Sequence, residues 1–215
     1  MSPVTRVLLT GIALFGFAGG AIAAQDRPTA TSGRTHEGPT LVPPTKAGTV
    51  VLYDQYNNAN GLDVTSQDFE AAFNAYDSFG ADDFVVPAGQ TWSIQGVDVD
   101  GEWSVAGPAA GFHVHFYANA GTLPGALVCD RLSNPYVNGP AAGDAVITLT
   151  SACVLTPGTY WMSVQTRQDF NPAGQWFWQN RGVAVTRGGT FGGGGARLRC
   201  AARHSLASRS TGRLG

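Results

Sequence analysis

The strongest constraint on this chain is a device it uses twice. Residues 81–94 read ADDFVVPAGQTWSI, and a shorter version returns at residues 152–164 as ACVLTPGTYWMSV. In each copy a Pro and a Gly punctuate the chain just before a run of Thr, aromatic and β-branched residues, which is how a strand is written when it starts from a turn. Two such turn-to-strand devices in a chain of 215 residues predict an all-β domain. The pattern names a scaffold and no reaction.

From Thr49 onward the chain alternates short β-branched and aromatic runs with turn signals, the spacing of a sandwich or barrel. Strands are expected at residues 83–86, 91–99, 112–118, 126–130, 145–152, 159–166 and 175–179. The expected fold is a two-sheet antiparallel β-sandwich, jelly-roll-like. Helical periodicity is confined to residues 66–79, where Phe69, Phe73 and Tyr76 fall at i, i+4 and i+7 between the caps Thr65-Ser66 and Gly80. Helix and extended chain both remain open there.

Four segments follow from composition. Residues 1–24 read as a secretory signal peptide, with Arg6, an apolar run over residues 7–18 and Ala21-Ile22-Ala23 as a small-x-small cleavage site, so cleavage is expected after Ala23 or Ala24. That run falls short of the about 20 residues needed to span a bilayer, and no second one exists, so no transmembrane anchor is expected. Residues 25–48, rich in Pro and Thr, read as a flexible linker. Residues 49–180 form the β domain, large enough to bury a core without a staple. Residues 181–215 are Gly- and Arg-rich and read as an irregular, disordered tail, or as the product of a shifted reading frame.

Charge is segregated: every Asp and Glu lies at or before Asp169, while Arg181, Arg187, Arg197, Arg199, Arg203, Arg209 and Arg213 follow it. A net charge of −2 therefore hides an acidic body and a basic tail. A secreted or periplasmic protein meets little nucleic acid, so no nucleic-acid partner is expected from that tail. In an oxidising compartment, Cys129 and Cys153, near the ends of two expected strands, are the expected disulfide, which leaves Cys200 as the odd thiol.

Four groups of residues bear on chemistry. His113 and His115 alternate with Phe112, Val114 and Phe116, so a strand places both imidazoles on one face. A metal would need a third ligand that the sequence does not show, and a solvated face is the alternative. Asp98, Asp100 and Glu102 likewise share a face in GVDVDGEW; they are the candidate calcium ligands, although the spacing is not that of an EF-hand, and a solvated hairpin edge is the competing reading. Asp82 and Asp83 point to opposite strand faces, so they cannot flank one bond as a glycosidase pair; one is expected to accept turn amides and the other to be exposed. Trp176 and Trp178 bracket Phe177 in QWFWQN with Gln179 beside them, an aromatic platform with amides that suits a sugar ring, set against plain core packing. Trp92 and Trp161 are expected core residues. No GxSxG, HExxH, Walker lysine or zinc-finger spacing occurs, and residues 192–195 lack the strand and helix a phosphate cradle needs.

At residues 81–101 (ADDFVVPAGQTWSIQGVDVDG), 116–128 (FYANAGTLPGALV) and 155–165 (LTPGTYWMSVQ), the chain resembles jelly-roll-like modules of secreted bacterial proteins, often adjoining surface-sorting signals. The likeness covers residues 51–180 and implies extended chain across residues 66–79. In such modules a further strand bearing an aromatic and a Cys follows the Trp-rich run, and this chain departs from that pattern from Gly182 onward. The resemblance implies a fold and no activity. The expected function is a noncatalytic surface or binding module for an extracellular glycan or cell-surface component, with a structural or adhesive protein and a hydrolase as alternatives.

Overall fold

The computed structural model describes residues 27–32, 49–56, 59–105, 107–181 and 198–203. The signal peptide, residues 33–48 of the linker and most of the tail lie outside them. The strands are β1 (Thr49–Asp54), β2 (Ala59–Thr65), β3 (Gln67–Asp68), β4 (Ala81–Val86), β5 (Trp92–Val99), β6 (Gly101–Trp103) and β7 (Gly111–Ala120). They continue with β8 (Leu123–Asn134), β9 (Tyr136–Asn138), β10 (Ala145–Leu155), β11 (Gly158–Arg167), β12 (Trp176–Arg181) and β13 (Leu198–Arg203). Each of the seven expected strands has a counterpart among these. The chain is all-β, with two short helical turns at Ala71–Tyr76 and Phe170–Ala173 among the described residues.

Hydrogen bonding divides the strands into three sets in a sandwich-like arrangement. One runs β1-β13-β5-β10-β9, a second β3-β11-β7-β8 with β4 also on β11, and a third β2-β12-β6. The pairings are antiparallel except for β3 on β11. The core lies between the first two sets: Ile94, Val97, Val99, Ile147 and Leu155 from one meet Phe84, Phe112, Val114, Phe116, Met162 and Val164 from the other. Trp176 and Trp178 of the third set belong to the same core. Apolar residues at every second position are what a strand needs to face a core on one side, and β7 and β11 keep that period. The Cys129–Cys153 disulfide joins β8 to β10 with a Cα–Cα distance of 6.0 Å.

Of the two readings open for residues 66–79, a single helix does not form. Ser66 donates its hydroxyl to Val164 O (2.6 Å), and Gln67 Nε2 donates to Gln168 O (3.0 Å) and Gly174 O (3.2 Å). These bonds hold β3 extended beside β11, and tertiary contacts override the local period. What remains is a 3₁₀ turn, Ala71–Tyr76, without a buried residue.

Two further expectations are corrected. Residues 27–32 are not free linker; they lie against β2 and Gln175, the residue before β12, through main-chain and side-chain hydrogen bonds. The tail is not irregular throughout, because β13 inserts between β1 and β5, with Cys200 in register with Val97 and Tyr53. The alternation Leu198, Cys200, Ala202 is a strand period that the Gly-rich composition around it conceals.

Candidate functional site

The Trp-rich run does not make an exposed platform. Trp176, Phe177, Trp178 and Gln179 are each 0 % exposed, because β12 is the central strand of its sheet and is covered on both faces. Trp176 packs edge-on against Phe112 (centroids 5.3 Å) and lies 6.4 Å from Trp178. Stacking on a sugar needs an open ring face, so Trp176, Trp178 and Gln179 are corrected from ligand contacts to interior residues.

Trp176 nonetheless builds a cleft. Its indole N–H donates to Gly143 O (2.8 Å), which ties the turn at residues 139–144 to β12. Asp144 closes that turn: its Oδ2 accepts from Ala141 N (3.1 Å), its Oδ1 accepts from Gly101 N (3.3 Å), and its main-chain O accepts from Gly139 N (2.9 Å). Gly143 has φ +107, and a Cβ there would sit 2.4 Å from Gly101 O, so glycine lets the turn press directly on β6.

The result is an open cleft of about 310 Å³ lined by Trp103, Pro108, Tyr136, Asn138 and residues 139–143. Trp103 is part-exposed, rests at 6.5 Å from Trp176 and has the main chain of Gly107 against its ring. Tyr136 is also part-exposed, packs edge-on to Phe112 (4.9 Å), and donates its hydroxyl to Ala109 O (3.4 Å). Asn138 is exposed at the rim. Among the described residues, no Asp, Glu, Lys, Arg or His lines the cleft. Sequence reasoning missed Trp103, Tyr136 and Asn138 because they come from β6 and β9, which are not adjacent in the chain; the only local cue is an aromatic beside a Pro- and Gly-rich turn.

The histidine face is a separate cluster. The strand period holds, with Phe112, Val114 and Phe116 in the core and both imidazoles opposite, but that face is covered rather than solvated, and each histidine is 9 % exposed. His113 Nδ1 accepts from Ser133 N (2.9 Å) and its Nε2 lies 3.3 Å from Asp68 Oδ2. Both its nitrogens are therefore occupied. His115 Nδ1 lies 2.9 Å from Asp130 Oδ1, and Phe79 covers the ring edge-on at 5.9 Å. Burial lowers the His115 pKa below its ordinary value and outweighs the opposing pull of Asp130; the nearby His113 also lowers it. Burial, with Asp130 as a second cause, raises the Tyr117 pKa.

Ser163 stands directly across the ladder from His115, so carboxylate, imidazole and hydroxyl occur in sequence on neighbouring strands. His115 Nε2 and Ser163 Oγ share no hydrogen bond, however, and both are buried. This geometry gives no activated nucleophile.

Asp98, Asp100 and Glu102 do not share a solvated hairpin edge. Asp98 and Asp100 are buried rather than on a solvated hairpin edge, because the chain leaves β5 at Asp100 to enter a different sheet as β6. That crossing removes the common face on which Asp98, Asp100 and Glu102 were expected to meet. Among the described residues no group of three or more His, Cys, Asp or Glu side chains is gathered to hold a metal ion. Asp82 and Asp83 are both buried, and Asp82 accepts from Gln55 Nε2 and from Asp83 N (2.9 Å), so the expected exposed partner is not found. Trp92 is in the core as expected; Trp161 is fully buried on the opposite face of β11, with its indole N–H on Asn119 Oδ1 (2.9 Å).

Comparison with family models, with curated proteins and with solved structures finds no match to this chain. No helix among the described residues is long and apolar enough to cross a membrane. The class in hand is an all-β, disulfide-bonded domain with an aromatic cleft.

Proposed function

We propose that the protein is a secreted, noncatalytic binding module whose cleft takes an extracellular carbohydrate. The observation that carries this reading is the cleft at Trp103 and Tyr136, where two part-exposed aromatics stand beside an amide and the main chain of a turn. A sugar ring offers apolar C–H faces and equatorial hydroxyls, which aromatic surface and amide or main-chain groups respectively match. The described lining residues carry no formal charge, which favours a neutral sugar over a uronic acid or sulfated glycan. A volume of about 310 Å³ is at the small end for ligand sites, the size of one or two sugar rings.

A glycan array probed with the purified domain tests this directly. Binding to neutral glycans, weakened by Trp103→Ala and by Asn138→Ala, supports the proposal; an array with no binder, or binding indifferent to Trp103→Ala, removes it. An adhesive role is the second reading, favoured by Leu123, Leu127, Val128 and Leu132, which are exposed along the edge strand β8. Cell-fractionation and sedimentation would then show surface coating or self-association without a small ligand.

A further inference from the structure

The segment at residues 27–32 is held as a peptide ligand is held. Gln175 reads the main chain of Thr29 with both ends of its amide: Oε1 accepts from Thr29 N (2.9 Å) and Nε2 donates to Thr29 O (2.9 Å). Thr65 N donates to Ala30 O (2.8 Å), and the Thr65 hydroxyl donates to Thr29 O. Asp63 reads the far end, its Oδ1 accepting from Ser32 N (2.7 Å) and its second oxygen from the Ser32 hydroxyl. Gln175, Thr65 and Asp63 are all buried, and Pro28 is buried with them.

We propose that Gln175, Thr65 and Asp63 form a peptide-recognition slot whose occupant, the chain's own 27–32 segment, exchanges with the same segment of a second copy. The slot is built in advance of its occupant. Gln175 N donates to Ser104 Oγ (2.8 Å), and its Nε2 also reaches Thr65 Oγ1 (3.2 Å), so its main chain and its amide are both held by residues outside the segment. An empty slot would give up these hydrogen bonds, which favours any chain able to form them again. Recognition is mainly of main chain, in a bent rather than a strand conformation, with two side-chain contacts: the Ser32 hydroxyl on Asp63 and the Thr29 hydroxyl on Gln175 Oε1 (3.4 Å).

The same bonds form whichever molecule supplies the segment. Sixteen residues, 33–48, separate Ser32 from β1, and at about 3.4 Å per extended residue that length reaches a neighbouring molecule. A molecule's own segment has the advantage of a high effective concentration, so exchange is a concentration-dependent event. A short peptide carrying Thr and Ser is the ligand class, and a second copy of this chain is the partner. This inference does not rest on the glycan reading, since none of the slot residues lines the cleft.

The test uses the full chain carrying Ser32→Cys and Asp63→Cys, with Cys200→Ser to remove the odd thiol. Oxidised dilute, it should form an intramolecular bond between the two introduced thiols. Incubated at high concentration before oxidation, it should give covalent dimers in which position 32 of one copy is linked to position 63 of the other, identified by peptide mapping. Monomer alone at every concentration would overturn the exchange. A second arm keeps these residues native and places a protease site within residues 33–48. After cleavage, a labelled peptide of residues 26–33 should enter the slot, bind at least tenfold more weakly to Asp63→Asn, and fail to bind when N-methylated at Thr29. A cleaved chain that stays folded by circular dichroism yet takes up no peptide would overturn the slot itself.

Discussion

Trp176 and Trp103 lie 6.5 Å apart and have opposite situations. Trp176, on the central strand of its sheet, has no exposed surface, spends its one N–H on Gly143, and acts on the cleft only by holding its turn in place. Trp103, at the end of a three-residue strand, keeps part of its ring in the cleft. An aromatic side chain thus stabilises the fold or meets a ligand according to whether its neighbours close over it, which is a property of strand order and not of residue type.

The largest expected effect breaks the pair from the buried side. Trp176→Ala removes a fully buried indole and should destabilise by about 3–5 kcal/mol, read as a lower denaturation midpoint. It should also lose glycan binding, because the turn at residues 139–144 loses its anchor. Removing the disulfide by Cys129→Ala with Cys153→Ala separates stability from binding. A sequence separation of 24 gives about 3 kcal/mol in the chain-entropy model, while binding by the surviving folded fraction should be unchanged.

From the exposed side, Trp103→Ala should weaken neutral-glycan binding about tenfold or more, near 1.4 kcal/mol, and cost less stability than Trp176→Ala. Isothermal titration beside thermal melting separates the two effects. A Trp103→Ala protein that melts as low as Trp176→Ala would show that the two indoles form one structural unit.

The smallest effect concerns pH. The His115 pKa is lower folded than unfolded, so the unfolded chain takes up the proton first as pH falls. Stability from this residue is therefore complete above the ordinary histidine value of about 6.5 and is progressively lost below it. The melting temperature should fall between pH 7.5 and pH 5, and His115→Asn should make that fall shallower. Asp130, His113 and Tyr117 surround the ring, so the comparison needs the variant as well as the native profile.

Much of the framework is legible in the residues themselves. Pro and Gly set the turns, period-two alternation places Phe112, Val114 and Phe116 inward, and the pairing of Cys129 with Cys153 follows from their places near the ends of two expected strands, with Cys200 left in the tail. The site is legible only in part. A hydrophobic period says which side chains share a face but not what lies over it, so QWFWQN reads equally as platform and as core. The strand at Leu198–Arg203 is concealed for a related reason: six residues with a period of two carry little signal inside a Gly- and Arg-rich stretch.

The sequence by itself determined an all-β chain, its turns, its disulfide and the inward face of its longest strands, because each of these depends on residues close together or on a single covalent pair. Only the tertiary structure decided that the chain crosses between sheets at Asp100, that β12 is central and its tryptophans covered, and that Trp103 meets Tyr136 across a cleft. Those are long-range outcomes, fixed by which strand pairs with which, and local preference is silent on that choice.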